Sequence, residues 1–276
     1  MIYEGTIYRP PSEADSLLVQ VTVGCSWNKC TFCGMYKDKR YRVRSLDEVK
    51  ADLRSAASYQ GRFQRIFLCD GDALALPAPF LRDILEEIGR LFPSLDSVRI
   101  YASARNVLEK EPRELETLAG LGVDMAYLGL ESGSDKVLSA VNKGLTKREM
   151  IDAAGALRKA GIKQSVSVIS GLGGETLSRE HILETADALN KMQPEYLGML
   201  VLHEGGDAGL YRMFGGESFR LPPSRLVLTE MRLLLERLEL TDCYFTSAHI
   251  SNYFHVKGRL PKDRQRLLAQ IGDALA

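Results

Sequence analysis

The chain has 276 residues, 45% hydrophobic and 26% charged, an ordinary globular composition and enough length for a single α/β barrel. Lys plus Arg and Asp plus Glu both total 36, so no net positive charge draws the chain toward nucleic acid or an anionic membrane. No apolar run approaches the roughly 18 residues a membrane span needs, and the first residues lack the apolar core of a secretory signal. A cytoplasmic location is expected, with neither membrane nor nucleic acid as partner.

Strand-like runs alternate with amphipathic helical stretches. The predicted strands are 17–23, 65–69, 97–103, 125–131, 164–170 and 195–203, with a weaker seventh at 244–250. Short length and β-branched content set them apart from helices. Ser45-Leu46-Asp47-Glu48 fits a capping box, and Leu46, Val49, Leu53 and Ala56 then share one helical face. Helices follow at 79–91 and 112–121. Thr146 and Glu149 form a second capping box for a helix that runs to Ala160, where Gly161 suits a left-handed stop. Ile182, Ala186, Leu189 and Met192 make the buried stripe of a helix over 178–192, and further helices are expected at 224–238 and 262–274.

Repeated strand–helix units imply parallel strands joined by right-handed crossovers. The expected fold is α/β, a partial (β/α)6 TIM-type barrel with a C-terminal extension; a doubly wound open sheet is the rival. The barrel core is assigned to 1–204 and the extension, packed on it as a cap, to 205–276. In either fold the site lies at the C-terminal ends of the strands.

Five cysteines are present, at 25, 30, 33, 69 and 243. Three fall within nine residues directly after the first strand, in Gly24-Cys25-Ser26-Trp27-Asn28-Lys29-Cys30-Thr31-Phe32-Cys33. A tight cluster and an odd total fit a metal site better than a disulfide framework. Three thiolates on one loop suit three corners of a four-iron cube, with the fourth iron open to a ligand. A zinc knot is the alternative; it wants four ligands, and Cys69 is a conceivable fourth. Otherwise Cys69 and Cys243 read as core, and Trp27 as a shield over the loop.

Cys-x4-Cys-x2-Cys, with Phe32 before the third cysteine, resembles the signature of the radical S-adenosylmethionine (SAM) superfamily. The usual motif has three residues between the first two cysteines, and the four found here point to a variant branch. The resemblance is to the coproporphyrinogen-oxidase-like and cobalamin-type radical SAM barrels. It implies that Cys25, Cys30 and Cys33 hold a [4Fe-4S] cluster that reductively cleaves SAM. The 5′-deoxyadenosyl radical then abstracts hydrogen from an unidentified substrate, in an oxidoreductase or transferase reaction. Asp70-Gly71-Asp72 stands where the family usually has Gly-Gly-Glu, beside the amino group of SAM. The segment 127–134 resembles the ribose-contacting segment and supplies Glu131 and Ser132. The segment 168–175 resembles the one that packs near adenine and supplies Ser170 and Gly171. Expected partners are a small-molecule substrate and an electron donor such as flavodoxin or ferredoxin. A haem-binding chaperone of the coproporphyrinogen-oxidase branch and a zinc-stabilised barrel are the competing readings.

Position alone adds Ser103 and Arg105, after the third strand, as contacts for SAM or as salt-bridge partners. Lys37 to Arg44 carries five basic residues, read as a solvated loop or as a face that turns Arg42 or Arg44 inward. His203, Glu204, His249 and Asn252 are the substrate-side candidates, and the Gly-rich stretch from Gly205 to Gly216 is a candidate lid. His181 is expected at a helix surface, and His255 in a terminal loop.

Overall fold

A computed structural model describes residues 1–202 and 222–276. They fall into two compact units: Met1–Asn28, Met35–Leu128 and Gly155–Gln164 in the first, and Lys29–Gly34, Gly129–Ala154 and Ser165–Ala276 in the second.

The first unit runs through β1 (Leu17–Gln20), β2 (Thr22–Val23), β3 (Arg42–Val43), α1 (Leu46–Ala56), β4 (Arg65–Cys69), α2 (Ala78–Leu91), β5 (Ser97–Ala102), α3 (Ala104–Leu108) and α4 (Pro112–Gly120) into β6 (Val123–Glu131). β1, β4, β5 and β6 are parallel neighbours in that order, with Leu18 beside Phe67 and Phe67 beside Arg99. β2 and β3 form a separate antiparallel pair. The capping box of α1 is present: the Ser45 hydroxyl accepts from the Glu48 amide at 3.3 Å and the Glu48 carboxylate from the Ser45 amide at 2.6 Å. Val49 and Leu53 of α1, and Leu81, Ile84 and Leu85 of α2, are fully buried, as are Ile66 and Leu68 on one face of β4. Phe67 and Cys69 on the other face pack with Leu18, Tyr101, Met125 and Tyr127, the Phe67 ring edge-on to both tyrosines. Strands covered on both faces explain the unbroken apolar runs.

The second unit continues with α5 (Asp135–Ala140), α6 (Lys147–Lys159), β7 (Lys163–Ser170), α7 (Gly174–Met192), β8 (Tyr196–Val201), α8 (Ser224–Arg237), β9 (Cys243–Thr246), β10 (Lys257–Leu260) and α9 (Arg264–Leu275). β6, α6 and β7 each have residues in both units. β7, β8 and β9 are parallel, and β10 returns antiparallel to β9. Gly133 has no room for a side chain, because a Cβ there would meet the backbone of Glu184 in α7.

Five of the six main strands lie where the apolar runs place them; the first run, 17–23, breaks at Val21 into β1 and β2, which join different sheets. The seventh is shorter than expected: it ends at Thr246, and Ser247 then bonds back to Val256. β3, α3, α5 and β10 have no counterpart in the sequence reading. The expected boundary at 204/205 lies outside the described residues, and 222–276 pack within the second unit. Among the described residues no helix is long and apolar enough to cross a membrane.

Candidate functional site

Cys25, Cys30 and Cys33 stand half-buried, without disulfides, on the loop between β2 and β3. Cys69 and Cys243 are buried. Burial, and then the charge of Asp70, push the Cys69 thiol well above its ordinary value; burial raises that of Cys243 to about 12. Both behave as core side chains.

In the first unit Asp70 follows the last residue of β4. Its Oδ2 accepts from the Gly24 amide at 3.0 Å and forms a buried ion pair with Lys39 at 2.7 Å. Asp72 Oδ2 accepts from the Ser26 hydroxyl at 2.5 Å and from the Asn106 amide group. The two carboxylates therefore hold the residues on either side of Cys25. Oδ1 of Asp70 and Oδ1 of Asp72 are buried without a hydrogen-bond partner. Burial raises the Asp72 carboxyl above its usual range, against the lowering effect of Ser26, Asn106 and the nearby Ser103. Between them Gly71 lies under the Tyr36 ring, where a Cβ would stand 2.5 Å from Cε2.

Ser103 follows β5 and caps α3, its hydroxyl accepting from the Asn106 amide at 3.3 Å. It thereby fixes the helix that delivers Asn106 to Asp72. Arg105 lies over the Trp27 ring, 4.2 Å from its centroid, a cation–π contact on the cysteine loop. The basic segment is part solvated and part structural: Lys37 and Arg40 are exposed, and the other three basic side chains form ion pairs. Lys39 pairs with Asp70, Arg44 turns inward to Asp52 at 2.8 Å, and Arg42 meets Glu4 and Glu48.

In the second unit the Thr31 amide donates to the Val141 carbonyl at 3.0 Å, and Asn142 donates to the Lys29 carbonyl at 3.2 Å. Glu131, the last residue of β6, has a left-handed φ of 61° and pairs with Lys143 at 3.0 Å. Ser167 is 3.5 Å from its other oxygen. Burial opposes the Lys143 charge, but Glu131 and the Cys30 and Cys33 sulfurs outweigh it and raise its pKa. Lys143 was absent from the sequence reading; it stands nine residues past the Glu131-Ser132-Gly133-Ser134 turn, with no local sign of its partner.

His181 is fully buried, not at the surface. Its Nε2 faces the Ile169 carbonyl at 3.1 Å and its Nδ1 the Ser132 hydroxyl at 2.8 Å. Burial lowers its pKa. The neutral ring then carries its proton on Nε2, because a carbonyl can only accept, and Ser132 donates to Nδ1. Ser170, the last residue of β7, gives its hydroxyl to Glu230, and the Gly171 amide does the same.

Of the substrate-side candidates, His203 and Glu204 lie outside the described residues, as does the expected lid. His249 sits in the β9–β10 connection, with Nδ1 2.8 Å from the Ser251 hydroxyl. Asn252 is buried and donates to the Met199 and Ser247 carbonyls. His255, in the same connection, faces the Asn252 carbonyl at 3.0 Å.

Among the described residues no three His, Cys, Asp or Glu side chains are gathered as ligands of one metal ion. A mononuclear zinc centre asks for four donors at one point, whereas a four-iron cube takes each thiolate on a different iron. Three thiols without disulfides on one loop are a donor set that fits a cluster, and in the first unit Asp70 and Asp72 each keep a buried oxygen without a hydrogen-bond partner.

Among solved structures, the fold is similar to coproporphyrinogen III oxidase from Escherichia coli, a radical SAM enzyme (TM-score 0.63, 18% identity, 80% of this chain and 52% of that one). It is also similar to methylornithine synthase (TM-score 0.57, 13% identity, 93% and 69%). The fold is thus the mostly parallel, partial TIM-type α/β barrel expected from the strand–helix alternation. Among curated sequences, the chain is 28% identical over 181 residues to an uncharacterized methyltransferase of Pyrococcus horikoshii, covering 65% of this chain and 38% of that one. It is 26% identical over 205 residues to the tRNA-2-methylthio-N(6)-dimethylallyladenosine synthase of Prosthecochloris aestuarii, covering 71% and 44%. The chain spans less than half the length of either. The radical SAM superfamily model matches residues 19–189, from β1 through most of α7, and with a match of that extent the chain belongs to the radical SAM superfamily, whose members use a [4Fe-4S] cluster and SAM.

Proposed function

We propose that this chain cleaves SAM reductively at a cluster held by Cys25, Cys30 and Cys33 and uses the resulting radical on a small-molecule substrate. The observation that carries this reading is the pair of aspartates around Gly71. Each places one carboxylate oxygen on a neighbour of Cys25 and leaves the other buried without a partner. A buried acceptor without a donor is costly, and an ammonium group supplies the missing donors. When bound, the reduced cluster supplies one electron that breaks the S–C5′ bond of SAM, giving methionine and a 5′-deoxyadenosyl radical.

The chain's own side chains bind and orient. Asp72, with Asp70 beside it, receives the amino group of SAM. Glu131, oriented by Lys143, accepts hydrogen bonds from the ribose hydroxyls. Ser132 donates to His181, so toward ribose its oxygen serves only as an acceptor. Ser170 and Gly171 shape the wall beside adenine. Arg105 on Trp27 covers the cysteine loop. A methyltransferase and a methylthiotransferase among the relatives support group transfer over net oxidation. A cytoplasmic setting with flavodoxin or ferredoxin as reductant suits the half-buried loop.

The test is anaerobic reconstitution, reduction with dithionite and assay of 5′-deoxyadenosine. Cluster-loaded protein that forms none refutes the reading. Glu131→Ala removes an acceptor whose charge-assisted hydrogen bond is worth about 1.5–3 kcal/mol. SAM binding, measured by equilibrium dialysis, should weaken by roughly ten- to a hundredfold with iron content unchanged. Unaltered affinity would remove Glu131 from the site.

A further inference from the structure

Glu230 lies on the buried face of α8 with Val227, Met231 and Leu234. Packing alone would be served by leucine at such a position, and a carboxylate there is unfavourable unless fully hydrogen-bonded. It is fully hydrogen-bonded. Oε2 accepts from the Ser170 hydroxyl at 2.5 Å and the Gly171 amide at 2.7 Å, and Oε1 accepts from the Ser178 hydroxyl at 2.7 Å. Two of the three donors belong to the turn that ends β7, and the third to the first turns of α7, the helix that follows. Gly171 has a φ of 84°, a conformation that favours glycine, and a Cβ there would stand 2.5 Å from the Pro222 ring at the approach to α8. The other polar groups of the turn are also committed: the Ser170 carbonyl accepts from the Leu202 amide and the Gly171 carbonyl from the Gly174 amide.

We propose that Glu230 is a positioning residue for SAM: from the C-terminal region it fixes the Ser170–Gly171 turn against which adenine packs. This rests on the reading that the turn faces adenine. Ser170 then has no hydroxyl proton left for the nucleoside, because it is given to Glu230; toward adenine its oxygen can only accept, and the turn acts mainly through its shape. The hydrogen bonds of the carboxylate all go to the turn and to Ser178, so its removal acts on affinity rather than on the chemical step.

The substitutions separate this role from a merely structural one. In Glu230→Gln the amide oxygen can take the place of Oε2, and the amide nitrogen can donate to Ser178, whose hydroxyl also accepts. Every contact of the turn survives. Glu230→Ala removes them all, and Glu230→Asp, one methylene shorter, cannot reach the turn and Ser178 together. SAM dissociation constants are measured by equilibrium dialysis on cluster-loaded protein, with KM and kcat for 5′-deoxyadenosine formation and iron content alongside. Glu230→Ala and Glu230→Asp should raise Kd and KM for SAM about tenfold. In both, kcat and iron content should stay within about twofold, and Glu230→Gln should match the parent. If Glu230→Ala does not fold, Glu230→Asp alone decides. Unchanged SAM affinity in a folded Ala or Asp variant overturns the proposal, as does a Gln variant as impaired as Ala, or a fall in kcat with unchanged KM. A parent protein that holds its cluster but forms no 5′-deoxyadenosine would instead refute the functional reading itself.

Discussion

Replacement of Cys25, Cys30 or Cys33 by Ala should abolish cluster assembly and 5′-deoxyadenosine formation together. The loop offers three half-buried thiols and no fourth. Loss of any one leaves two protein ligands for a four-iron cube, with two irons open to solvent. Iron and sulfide analysis after anaerobic reconstitution should fall from about four irons per chain toward background, and the broad absorbance near the visible edge should vanish. Cys69→Ala and Cys243→Ala are the controls. Both thiols are buried, with pKa values raised by burial, so neither offers a ready thiolate. Each variant should retain the cluster and lose only some stability. A Cys69→Ala protein as poor in iron as the loop variants would show that a fourth cysteine takes part.

Lys39→Met should destabilise the fold by about 3–5 kcal/mol, because it leaves the buried Asp70 carboxylate without its counter-charge. The Lys39 side chain is 5% exposed and that of Asp70 0% exposed, so solvent cannot substitute for the lost partner. The double variant Lys39→Met/Asp70→Asn removes both charges and keeps an oxygen for the Gly24 amide. It should recover most of the loss in urea unfolding of the metal-free protein. A single variant within about 1 kcal/mol of the parent would place this pair with weak surface ion pairs. The double variant also separates fold from function. If Asp70 helps to receive the amino group of SAM, stability returns while SAM affinity stays low.

The strand ends were legible because the apolar runs stop abruptly at polar residues. Asp70 follows β4, Ser103 follows β5, Glu131 closes β6 and Ser170 closes β7. Short elements were not legible. α3 and α5 span five and six residues, less than two turns, so no apolar repeat can build up. β10 reads Lys-Gly-Arg-Leu, in which glycine and two charged residues hide an alternating burial pattern. His181 was misplaced because its sequence neighbours Arg179, Glu180 and Glu184 suggest a wet face. The buried stripe of α7 is wide enough to take both His181 and Ile182. Lys143 and Glu230 escaped notice for a different reason. A lone charged residue in a helix or loop carries no local sign of the partner it meets far along the chain, 12 residues away for one and about 60 for the other.

The first part of the cysteine loop is tied at two places by hydrogen bonds that need no iron. Gly24 and Ser26 are bound to the two aspartates, and Lys29 and Thr31 to Asn142 and Val141. Ordering a free backbone takes about 1–2 kcal/mol per residue, which a ligand loop ordinarily draws from metal binding. Zinc fingers show the extreme case, in which folding waits for the ion. Here that entropy is already spent in the metal-free chain. Cluster insertion thus meets two stretches of loop, 24–26 and 29–31, that are each already ordered, rather than a free chain. The Gly24 and Thr31 amides should accordingly exchange with deuterium slowly before any iron is added, and the metal-free protein should resist proteolysis between β2 and β3 nearly as well as the loaded one.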